Sequence, residues 1–551
     1  MQYLILSLII LLSIVLILNY YSKKKQKELL KKIRAAWGNP KIDNINFNKV
    51  ENYSKLIKEK YFHELSEQTL VDTDFYELFK FVDRTTSKIG QQYLFSAIKK
   101  PTNSNSTLQQ LSSEARFFAD NKSIREEVQQ EIIKLDRSDA YHISSLLSEK
   151  LIQKPYWFRF LFLDTALVIM LLGLLFWSPV FVLFLFIPLT INIFLHYWNK
   201  SNSYQFMQSF PQLNQLIVVS KRLLQKDIPV DKHMVEESAL ALKPFQRKLR
   251  LLSLGQDGSI KDELSQFGFY VIEIIKALFL IELYALFNLV RELENKQAHI
   301  EVLFRFVGKI DTAISIASLR AGSLKTCEPN LTEKNKKLTF KNIYHPLVID
   351  CVANNINVNS KSILITGSNM SGKTTFLRSV AVNTILAQSI YTCFADRYEA
   401  PFMKLFSSIR IDDNLLTGKS FYLEEVNVMG SLISEVKSDQ QNIFILDEVF
   451  KGTNTIERIA SAKAILSYLN KFDNVIFVST HDIELAKMLV GEFDLYHFTE
   501  IIDDSQLCFD HELKVGPLKT KNAIKILEIS GFPSEIINEA KDISEELAKK
   551  N

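Results

Sequence analysis

A glycine-rich loop between an apolar run and a helical pattern constrains the fold of this chain more than any other feature. The apolar run Ile363–Ile365 predicts a buried strand, and Phe376–Gln388 predicts the helix that follows the loop. The intervening Gly367-Ser-Asn-Met-Ser-Gly-Lys-Thr374 has the spacing of a phosphate-binding loop. A glycine-rich turn arising by chance would lack these flanking elements, so the sequence predicts a nucleotide-binding α/β domain.

The side chains of this loop predict a site for ATP and Mg²⁺. Backbone N–H groups would turn toward phosphate oxygens, and the helix N-terminus would add a positive dipole. Lys373 would reach the β- and γ-phosphates, and the hydroxyl of Thr374 would bind Mg²⁺. The predicted nucleotide contacts in the loop are Gly367, Ser368, Asn369, Met370, Ser371, Gly372, Lys373, Thr374 and Thr375.

Two further apolar runs end in residues that suit phosphoryl transfer. The run Asn442–Leu446 is followed by Asp447, a predicted Mg²⁺ ligand together with Thr374, and by Glu448, placed to polarise the attacking water. A third run, Val475–Ser479, has the same strand pattern. It is followed closely by His481, which would sense the γ-phosphate. The predicted catalytic residues are Lys373, Glu448 and His481.

Length and composition set the wider limits. A chain of 551 residues is too long for one ordinary core, so two to four units are expected. The net charge is +4 over 66 basic and 62 acidic residues, which does not by itself indicate a nucleic-acid partner. Four scattered cysteines without C-x-x-C pairs are typical of reduced thiols in a cytosolic compartment.

The N-terminus predicts an uncleaved membrane anchor. Leu4–Leu18 is almost wholly apolar, and the basic run Lys23–Lys27 follows it rather than preceding it. Positive charge after the apolar run places that flank in the cytoplasm. A peripheral amphipathic helix is the alternative, but the run has no polar face.

Phe158–Tyr197 predicts a membrane hairpin. No charged residue occurs between Asp164 and Lys200, and Ser178-Pro179 stands where a turn would join two apolar segments. Tryptophans and tyrosines lie at the expected interfaces, and a buried pair of core helices is the alternative. Together with the N-terminal anchor, this predicts three spans in the cytoplasmic (inner) membrane, with the remaining domains in the cytoplasm.

A third very apolar stretch, Phe269–Val290, is predicted to be a long packed helix of a soluble region. It contains Glu273, Lys276 and Glu282, and each charge at mid-bilayer costs about 2.5–3.5 kcal/mol. The flanking regions, like Tyr53–Arg137, have the spacing of packed helices.

The loop and its surroundings resemble the MutS family of mismatch-repair ATPases, a branch of the ABC-type ATPases. Thr366–Arg378 is similar to the family's T-G-x-N-M-x-G-K-S/T-x-x-x-R, and Asp412-Asp413 with Gly418-Lys-Ser420-Phe-Tyr-Leu-Glu-Glu425 is similar to its signature motif. The resemblance implies that Ser420 reaches the γ-phosphate bound to the opposite subunit. Asp447 to Thr455 also resembles the family, although Phe450 and Lys451 replace the usual Gly and Arg.

The resemblance further implies a homodimer that closes around two ATP molecules and couples hydrolysis to double-stranded DNA. Tyr344-His345-Pro346 matches the entry to the adenine pocket, and Lys514-x-Gly516 and Ile529-x-Gly531-x-Pro533 match the helical dimerisation tail. The resulting fold class is a helical core and lever region with transmembrane helices, followed by an α/β P-loop ATPase domain. The predicted segments are a transmembrane anchor at 1–22, a helical core-like region at 23–150, a transmembrane hairpin at 157–198, a helical lever region at 199–335, a P-loop ATPase domain at 336–519 and a helical dimerisation tail at 520–551.

Two departures from the family define an alternative function. The stretch between Lys23 and Asp83 is too short for a mismatch-recognition domain, and the hairpin stands where a DNA clamp would be expected. Phe75-Tyr76-Glu77 matches a tripeptide that wedges into mismatched DNA in the family, but it is predicted to be a packed helix face here. The alternative is therefore a membrane-anchored mechanochemical ATPase that acts on membrane or protein partners without reading mismatches.

Overall fold

The chain divides into two compact units. A computed structural model describes residues 2–57, 61–148, 155–202, 204–253, 271, 274–333, 336–368, 370–410, 421–437, 440–503, 506–518 and 523–550. The first unit consists of Met1–Glu59, Asp83–Ser96 and Ser113–Ala321. The second unit consists of Lys60–Val82, Ala97–Ser112 and Gly322–Asn551.

The regular elements among the described residues of the first unit are helices, as the spacing of its apolar residues predicts. Its α-helices are Gln2–Ala36, Phe47–Leu56, Lys122–Ile132, Leu161–Leu174, Phe181–Asn202, Tyr204–Leu224, His233–Ala241, Lys243–Ser253, Ile281–Glu294 and Gln297–Arg320. Short 3₁₀ helices are Ile133–Leu135, Ser138–Leu147 and Tyr156–Phe160. Helices Lys88–Lys99 and Asn105–Asp120 contribute residues to both units.

Helix Gln297–Arg320 lies at the centre of the first unit, with both faces buried over most of its length. Its fully buried Asp311 accepts hydrogen bonds from the backbone N–H groups of Thr86 (2.8 Å) and Ser87 (2.7 Å). A Cβ at Gly90 would lie 2.1 Å from a carboxylate oxygen of Asp311, so only glycine allows this close approach. The segment Thr86–Gly90 is thus fixed by a buried carboxylate.

Two helical segments are long and apolar enough to cross a membrane among the residues that could be searched. They are Tyr156–Leu174 and Phe181–Trp198, and 22 % of each segment is buried within the protein. Both belong to the predicted hairpin. The predicted third span, Leu4–Leu18, lies in helix Gln2–Ala36 but is not among these segments, and most of its side chains lie outside the described residues. The structure thus supports two candidate spans where the sequence predicted three.

The prediction of one long packed helix over Phe269–Val290 is wrong. Residues 274–278 are helical, a turn follows at 279–280, and a new helix begins at Ile281. Leu280 has a φ of 50°, a left-handed conformation that interrupts the helical hydrogen-bond pattern. Ile274 is 64 % exposed, so the stretch is not packed on all sides either.

The second unit contains α/β structure within the predicted domain at 336–519. Its strands are β1 (Asn330–Thr332), β2 (Leu338–Ile343), β3 (Asn354–Val358), β4 (Ser362–Thr366), β5 (Arg397–Pro401), β6 (Lys404–Ser408), β7 (Asn442–Asp447), β8 (Val475–Thr480), β9 (Phe493–His497), β10 (Glu500–Asp503), β11 (Gln506–Phe509) and β12 (Lys514–Val515). Its helices are Glu67–Asp72, Phe75–Val82, Lys373–Ala387, Phe421–Glu435, Thr455–Asn470, Ile483–Leu489, Ala523–Ile529 and Ser534–Lys550.

A six-stranded sheet in the order β12-β9-β4-β8-β7-β6 forms the centre of this unit. All neighbouring strands pair in parallel except the edge strand β12. Strands β4, β7 and β8 are almost entirely buried, which explains their continuous apolar runs. A four-stranded sheet, β1-β5-β2-β3, and the hairpin β10-β11 complete the described strands. Lys514 thus lies in an edge strand rather than in the C-terminal helices.

Helices cover both faces of the six-stranded sheet. Alternate strand residues such as Leu364 and Phe444 pack in one cluster with Leu432 and Leu466 of helices Phe421–Glu435 and Thr455–Asn470. Because side chains alternate across a strand, Phe477 faces the other way, where its ring lies 6.5 Å from that of Phe376 in helix Lys373–Ala387. In a parallel sheet covered in this way, the loops at the carboxyl ends of the central strands form a common edge.

Candidate functional site

The predicted phosphate loop connects β4 to helix Lys373–Ala387, as the sequence indicates. Gly367 has a φ of 153° and Gly372 a φ of 114°, both in the left-handed region. A Cβ at Gly367 would also lie 3.0 Å from the carbonyl oxygen of Phe498. Glycine at these two positions therefore lets the loop turn tightly at the helix N-terminus.

Lys373 is a buried cation that closes the loop. Its side chain is 4 % exposed, and its Nζ donates to the carbonyl oxygens of Gly367 (2.8 Å) and Ser368 (2.7 Å). The Nζ also lies 3.4 Å from Nε2 of His481. Burial lowers the pKa of the Lys373 ammonium to about 8. The ammonium group is thus held next to the loop. Because it is buried away from water, its electrostatic interaction with a nearby anion would be stronger than in water.

Two oxygen ligands predicted for Mg²⁺ lie beside each other. The hydroxyl of Thr374 donates to Oδ2 of Asp447 over 2.7 Å. The other carboxylate oxygen of Asp447 accepts a hydrogen bond from the hydroxyl of Ser479 in β8. A hydroxyl and a carboxylate are the hard oxygen donors that Mg²⁺ prefers, and it commonly takes only one or two protein ligands together with phosphates and water.

Glu448 follows β7 in a strained backbone conformation and is held by two neighbouring side chains. Its φ is 54°, and its N–H donates to the carbonyl oxygen of Ser479 over 3.1 Å. Its carboxylate contacts His481 directly and lies 3.2 Å from Nζ of Lys451. Burial raises the pKa of the Glu448 carboxyl, but the hydrogen bonds and charges of His481 and Lys451 outweigh burial and lower the pKa to about 2. Glu448 is therefore ionised at any physiological pH.

A pocket of about 290 Å³ opens beside the loop. The predicted contacts that line it are Ser368, Met370, Gly372, Lys373, Thr374 and Thr375. Its other wall is the segment Val348–Val352 together with Asn354 and His511, which the sequence did not indicate. Tyr344-His345-Pro346, predicted near an adenine pocket, does not line it; the residues that follow do. His511 is held by its Nδ1, 3.0 Å from the carbonyl oxygen of Ser371.

Several predicted site residues are not among those that line the pocket. Gly367 and Ser371 belong to the loop but not to the lining. Asn369 and Ser420 lie outside the described residues, as does Asp412-Asp413 of the signature motif. Their predicted roles stay predictions.

Glu425 organises the segment after Glu448, a role that sequence reasoning missed. Its side chain is 2 % exposed, and its two carboxylate oxygens accept the backbone N–H groups of Lys451 (2.8 Å) and Gly452 (3.1 Å). Phe450 has a φ of 63°, in the region that favours glycine. The Phe that replaces a usual Gly thus keeps the backbone conformation that a Gly would adopt without strain.

A second missed group lies at the end of β6. The fully buried carboxylate of Asp72 accepts the N–H groups of Ile409 (3.1 Å) and Arg410 (2.7 Å) and the hydroxyl of Ser407 (2.7 Å). Asp74 accepts hydrogen bonds from the side chains of Arg410 (2.7 Å) and of Arg378 in helix Lys373–Ala387 (3.0 Å). These aspartates fix the chain directly before residues 411–420, which carry the predicted signature serine.

The tripeptide that resembles a mismatch wedge begins with a buried phenylalanine. Phe75 is 0 % exposed and lies in helix Phe75–Val82 of the second unit. The predicted packed helix face is confirmed, and the wedge interpretation is excluded for this phenylalanine because its ring cannot reach a duplex.

Comparison with known proteins finds relatives that match about half of this chain. A family model described as MutS domain V matches residues 363–548. The DNA mismatch repair protein MutS of Pseudothermotoga lettingae is 31 % identical over 271 residues, which are 47 % of this chain and 33 % of that protein. The protein of the same name from Listeria monocytogenes is 32 % identical over 281 residues, 48 % of this chain and 32 % of that protein. This chain thus spans about a third of the length of the curated relatives that it matches.

Proposed function

We propose that this chain, a member of the MutS family, is an ATP hydrolase that uses Mg²⁺. One observation carries the proposal: Lys373, the Thr374–Asp447 pair and the Glu448–His481 pair lie together where β4, β7 and β8 end. A buried cation, a hard oxygen pair and an ionised carboxylate are the groups that phosphoryl transfer to water requires.

The residues of the loop fit a bound nucleotide. The hydroxyl of Ser368 is buried and has no hydrogen-bond partner within the described part of the chain, although it lines the pocket. A phosphate oxygen would supply that partner. Mg²⁺, when bound by Thr374 and Asp447, would neutralise charge on the phosphates. The wall Val348–Val352 would enclose the rest of the nucleotide.

Each charged side chain would then have a distinct role. Lys373 would exchange the carbonyl oxygens of Gly367 and Ser368 for phosphate oxygens, which are stronger acceptors because they are charged. Glu448, ionised at neutral pH, would orient the attacking water. His481 would hold Glu448 in place and lie within reach of the terminal phosphate.

The family relationship supports a dimer as the active species. The pocket is not fully enclosed. Residues 411–420, which include the predicted serine that acts across the dimer, follow directly after the β6 segment that Asp72 and Asp74 fix. We propose that Ser420 completes the site of a second copy and that the helical tail from residue 520 contributes to dimerisation.

We further propose that the hairpin Tyr156–Trp198 inserts into the cytoplasmic membrane, with the nucleotide site in the cytoplasm. Its exposed side chains include Phe162 (71 %), Phe176 (98 %) and Phe186 (73 %). A soluble protein rarely presents a contiguous apolar surface of this kind, whereas a bilayer stabilises it. Trp157 and Trp198 contact each other at the base of the hairpin, where an interface would lie.

The coupled process remains a choice between two proposals. The curated relatives are named DNA mismatch repair proteins, which supports coupling of ATP hydrolysis to duplex DNA in a repair-like process. The exposed apolar hairpin and the buried Phe75 favour the second candidate, an ATPase that acts on membrane or protein partners without mismatch recognition.

Glu448→Gln in the detergent-purified full chain tests the hydrolase proposal. ATP turnover is expected to fall about a hundredfold or more while Mg-ATP remains bound and the dimer persists, because the amide cannot orient water as the carboxylate does. Lys487→Ala, an exposed lysine on helix Ile483–Leu489, is the matched control and should hydrolyse normally. Unchanged turnover in Glu448→Gln would remove the role assigned to this residue.

Salt dependence of duplex binding separates the two candidate processes. A protein that neutralises DNA phosphates loses affinity steeply as salt rises, because bound counterions are released. A steep negative slope of log K against log salt would support the DNA process. Absence of binding at low salt would leave the membrane process as the proposal.

A further inference from the structure

The interrupted stretch around Leu280 is joined to the hairpin by specific polar contacts. The side-chain amide of Asn192, which is fully buried, donates to the carbonyl oxygen of Leu278 over 2.8 Å. The hydroxyls of Thr165 and Tyr284 lie 3.1 Å apart. Leu280 and Leu283 complete an apolar cluster with Phe158 and Leu161 at the start of the hairpin, so the attachment is both polar and apolar.

These contacts set the depth of the interrupted stretch relative to the hairpin. The rings of Trp157 and Trp198 lie 5.6 Å apart and mark one level across both hairpin helices. Thr165 is eight residues beyond Trp157, and Asn192 is six residues before Trp198. At about 1.5 Å per helical residue, both polar contacts lie about 9 to 12 Å farther into the hairpin than the tryptophans.

The direction of helix Ile281–Glu294 follows from a third contact. The ring of Phe287 lies 5.0 Å from that of Phe158, which is close to the tryptophan level. Tyr284, one turn earlier, contacts Thr165 at greater depth. The helix therefore runs from its deepest point near Ile281 back toward the base of the hairpin, and the break at Leu280 is the tip.

The broken backbone at this tip is compensated in the way that hydrocarbon requires. A helix that ends inside a bilayer leaves carbonyl groups without water to bind, so another part of the protein must donate to them. Asn192 donates to the Leu278 carbonyl at this break.

The outward surface of the stretch continues the apolar surface of the hairpin. Val271 (40 %), Ile274 (64 %), Ile275 (43 %) and Ile281 (44 %) are exposed, whereas Lys276 is only 5 % exposed. The side chain of Lys276 therefore faces the protein rather than its surroundings. The free-energy cost of placing this charge at the depth of a membrane is reduced accordingly.

We propose that residues 274–287, called here the elbow, form a re-entrant element that enters the cytoplasmic leaflet beside the hairpin, with lipid acyl chains as its partner. The proposal rests on membrane insertion of the hairpin. The elbow turns back at Leu280 and does not cross the bilayer. Helix Gln297–Arg320, the buried centre of the first unit, begins two residues after the helix that leaves the elbow. The elbow thus connects the bilayer to that helix through the chain itself.

Photo-crosslinking to lipid in the reconstituted full chain tests the elbow. A benzophenone amino acid is placed at Ile281 in the elbow, at Phe186 in the hairpin or at Leu240, which is 68 % exposed on helix His233–Ala241. Each variant is irradiated in vesicles of phosphatidylethanolamine and phosphatidylglycerol, and acyl-chain adducts are identified by mass spectrometry. Adducts at Ile281 and Phe186, with none at Leu240, are expected.

The other outcomes separate the elbow from the hairpin. Adducts at Phe186 alone would overturn the elbow and leave the anchored ATPase proposal intact. Adducts at neither position would overturn membrane insertion and the elbow with it. Adducts at all three positions would show unspecific contact with lipid and overturn the elbow as a defined element.

Asn192→Leu adds a readout that simple contact would not give. Removal of the donor leaves the Leu278 carbonyl unpaired in hydrocarbon, so the tip should move out of the leaflet. Adduct yield at Ile281 is expected to fall several-fold while the yield at Phe186 is unchanged. Equal yields with and without Asn192 would refute its part in the elbow.

Discussion

The loop site of the second unit buries a charged side chain, whereas the hairpin of the first unit exposes large apolar side chains. Both are the reverse of what a protein surrounded by water usually shows. At the loop, the cation Lys373 is 4 % exposed, whereas at the hairpin the aromatic ring of Phe186 is 73 % exposed. Burying a charge and exposing a large apolar side chain both cost free energy in water. The partners proposed above would remove each cost: phosphate would pair with the lysine of the loop, and lipid would cover the rings of the hairpin.

The two regions also differ in how their remaining polar groups are satisfied. The loop site is a network of charged side chains, in which Glu448 contacts both His481 and Lys451. The hairpin relies on neutral donors, such as Asn192 and Thr165, that satisfy single groups. The comparison predicts that the loop responds to charge and pH, whereas the hairpin responds to hydrocarbon.

Lys373→Ala is expected to have the largest effect. Loss of a buried ammonium that would bind phosphate should weaken Mg-ATP binding by about 4 kcal/mol, on the order of a thousandfold. Isothermal titration calorimetry in detergent measures the affinity, with Lys487→Ala as control. Flotation with membranes should be unchanged. A Lys373→Ala chain that binds ATP with normal affinity would contradict the proposal that the buried lysine of the loop binds phosphate.

Phe186→Arg tests whether the apolar surface of the hairpin contacts lipid. A charge on the lipid-facing side of the hairpin should disfavour insertion by about 3 kcal/mol, because the guanidinium must enter hydrocarbon. The fraction of protein that resists carbonate extraction from membranes should fall, while ATP affinity in detergent stays the same. Met234→Arg, at a residue 56 % exposed on helix His233–Ala241, is the matched control. Equal extraction of both variants would argue against a hairpin in the bilayer.

Asp72→Ala tests whether the buried carboxylate supports the chain before residues 411–420. Its removal leaves the N–H groups of Ile409 and Arg410 without their acceptor, at a cost of about 2 kcal/mol. Hydrogen–deuterium exchange in peptides that cover residues 404–410 should become faster, with Glu484→Ala, an exposed residue of the same unit, as control. Unchanged protection would show that this support is not needed.

The smallest expected effect is the pH dependence of ATP binding. Because burial lowers the pKa of Lys373 to about 8, the nucleotide-free chain loses this positive charge as pH rises through 8. ATP affinity should be full below pH 7 and weaken about tenfold by pH 9, since the proton must be regained on binding. Thermal melting at each pH serves as a control for unfolding. Affinity that stays flat to pH 9 would contradict a buried, titrating lysine.

Much of both regions was predictable because the relevant signals are local in sequence. The strand, loop and helix around Gly367–Lys373 follow one another along the chain, and the two hairpin segments are visible as strongly apolar runs. The predicted strands β4, β7 and β8 are confirmed. The N-terminal run was predicted by the same hydropathy pattern but is not among the candidate spans.

Other features depended on residues far apart in sequence. The signature motif contains Glu425, but only the fold brings its carboxylate to the N–H groups of Lys451 and Gly452. Nothing in the local pattern around Asp72 indicates that it would bind Arg410, 338 residues later. Likewise, the apolar periodicity of Phe269–Val290 alone could not reveal the break at Leu280.

The sequence by itself determined the phosphate-loop geometry and the apolar character of the hairpin, because contiguous residues specify both. Only the tertiary structure decided which groups satisfy one another at a distance, such as Asn192 and the Leu278 carbonyl, 86 residues apart. A hydrogen bond between distant segments depends on packing of the whole unit, and no short window of sequence records that packing.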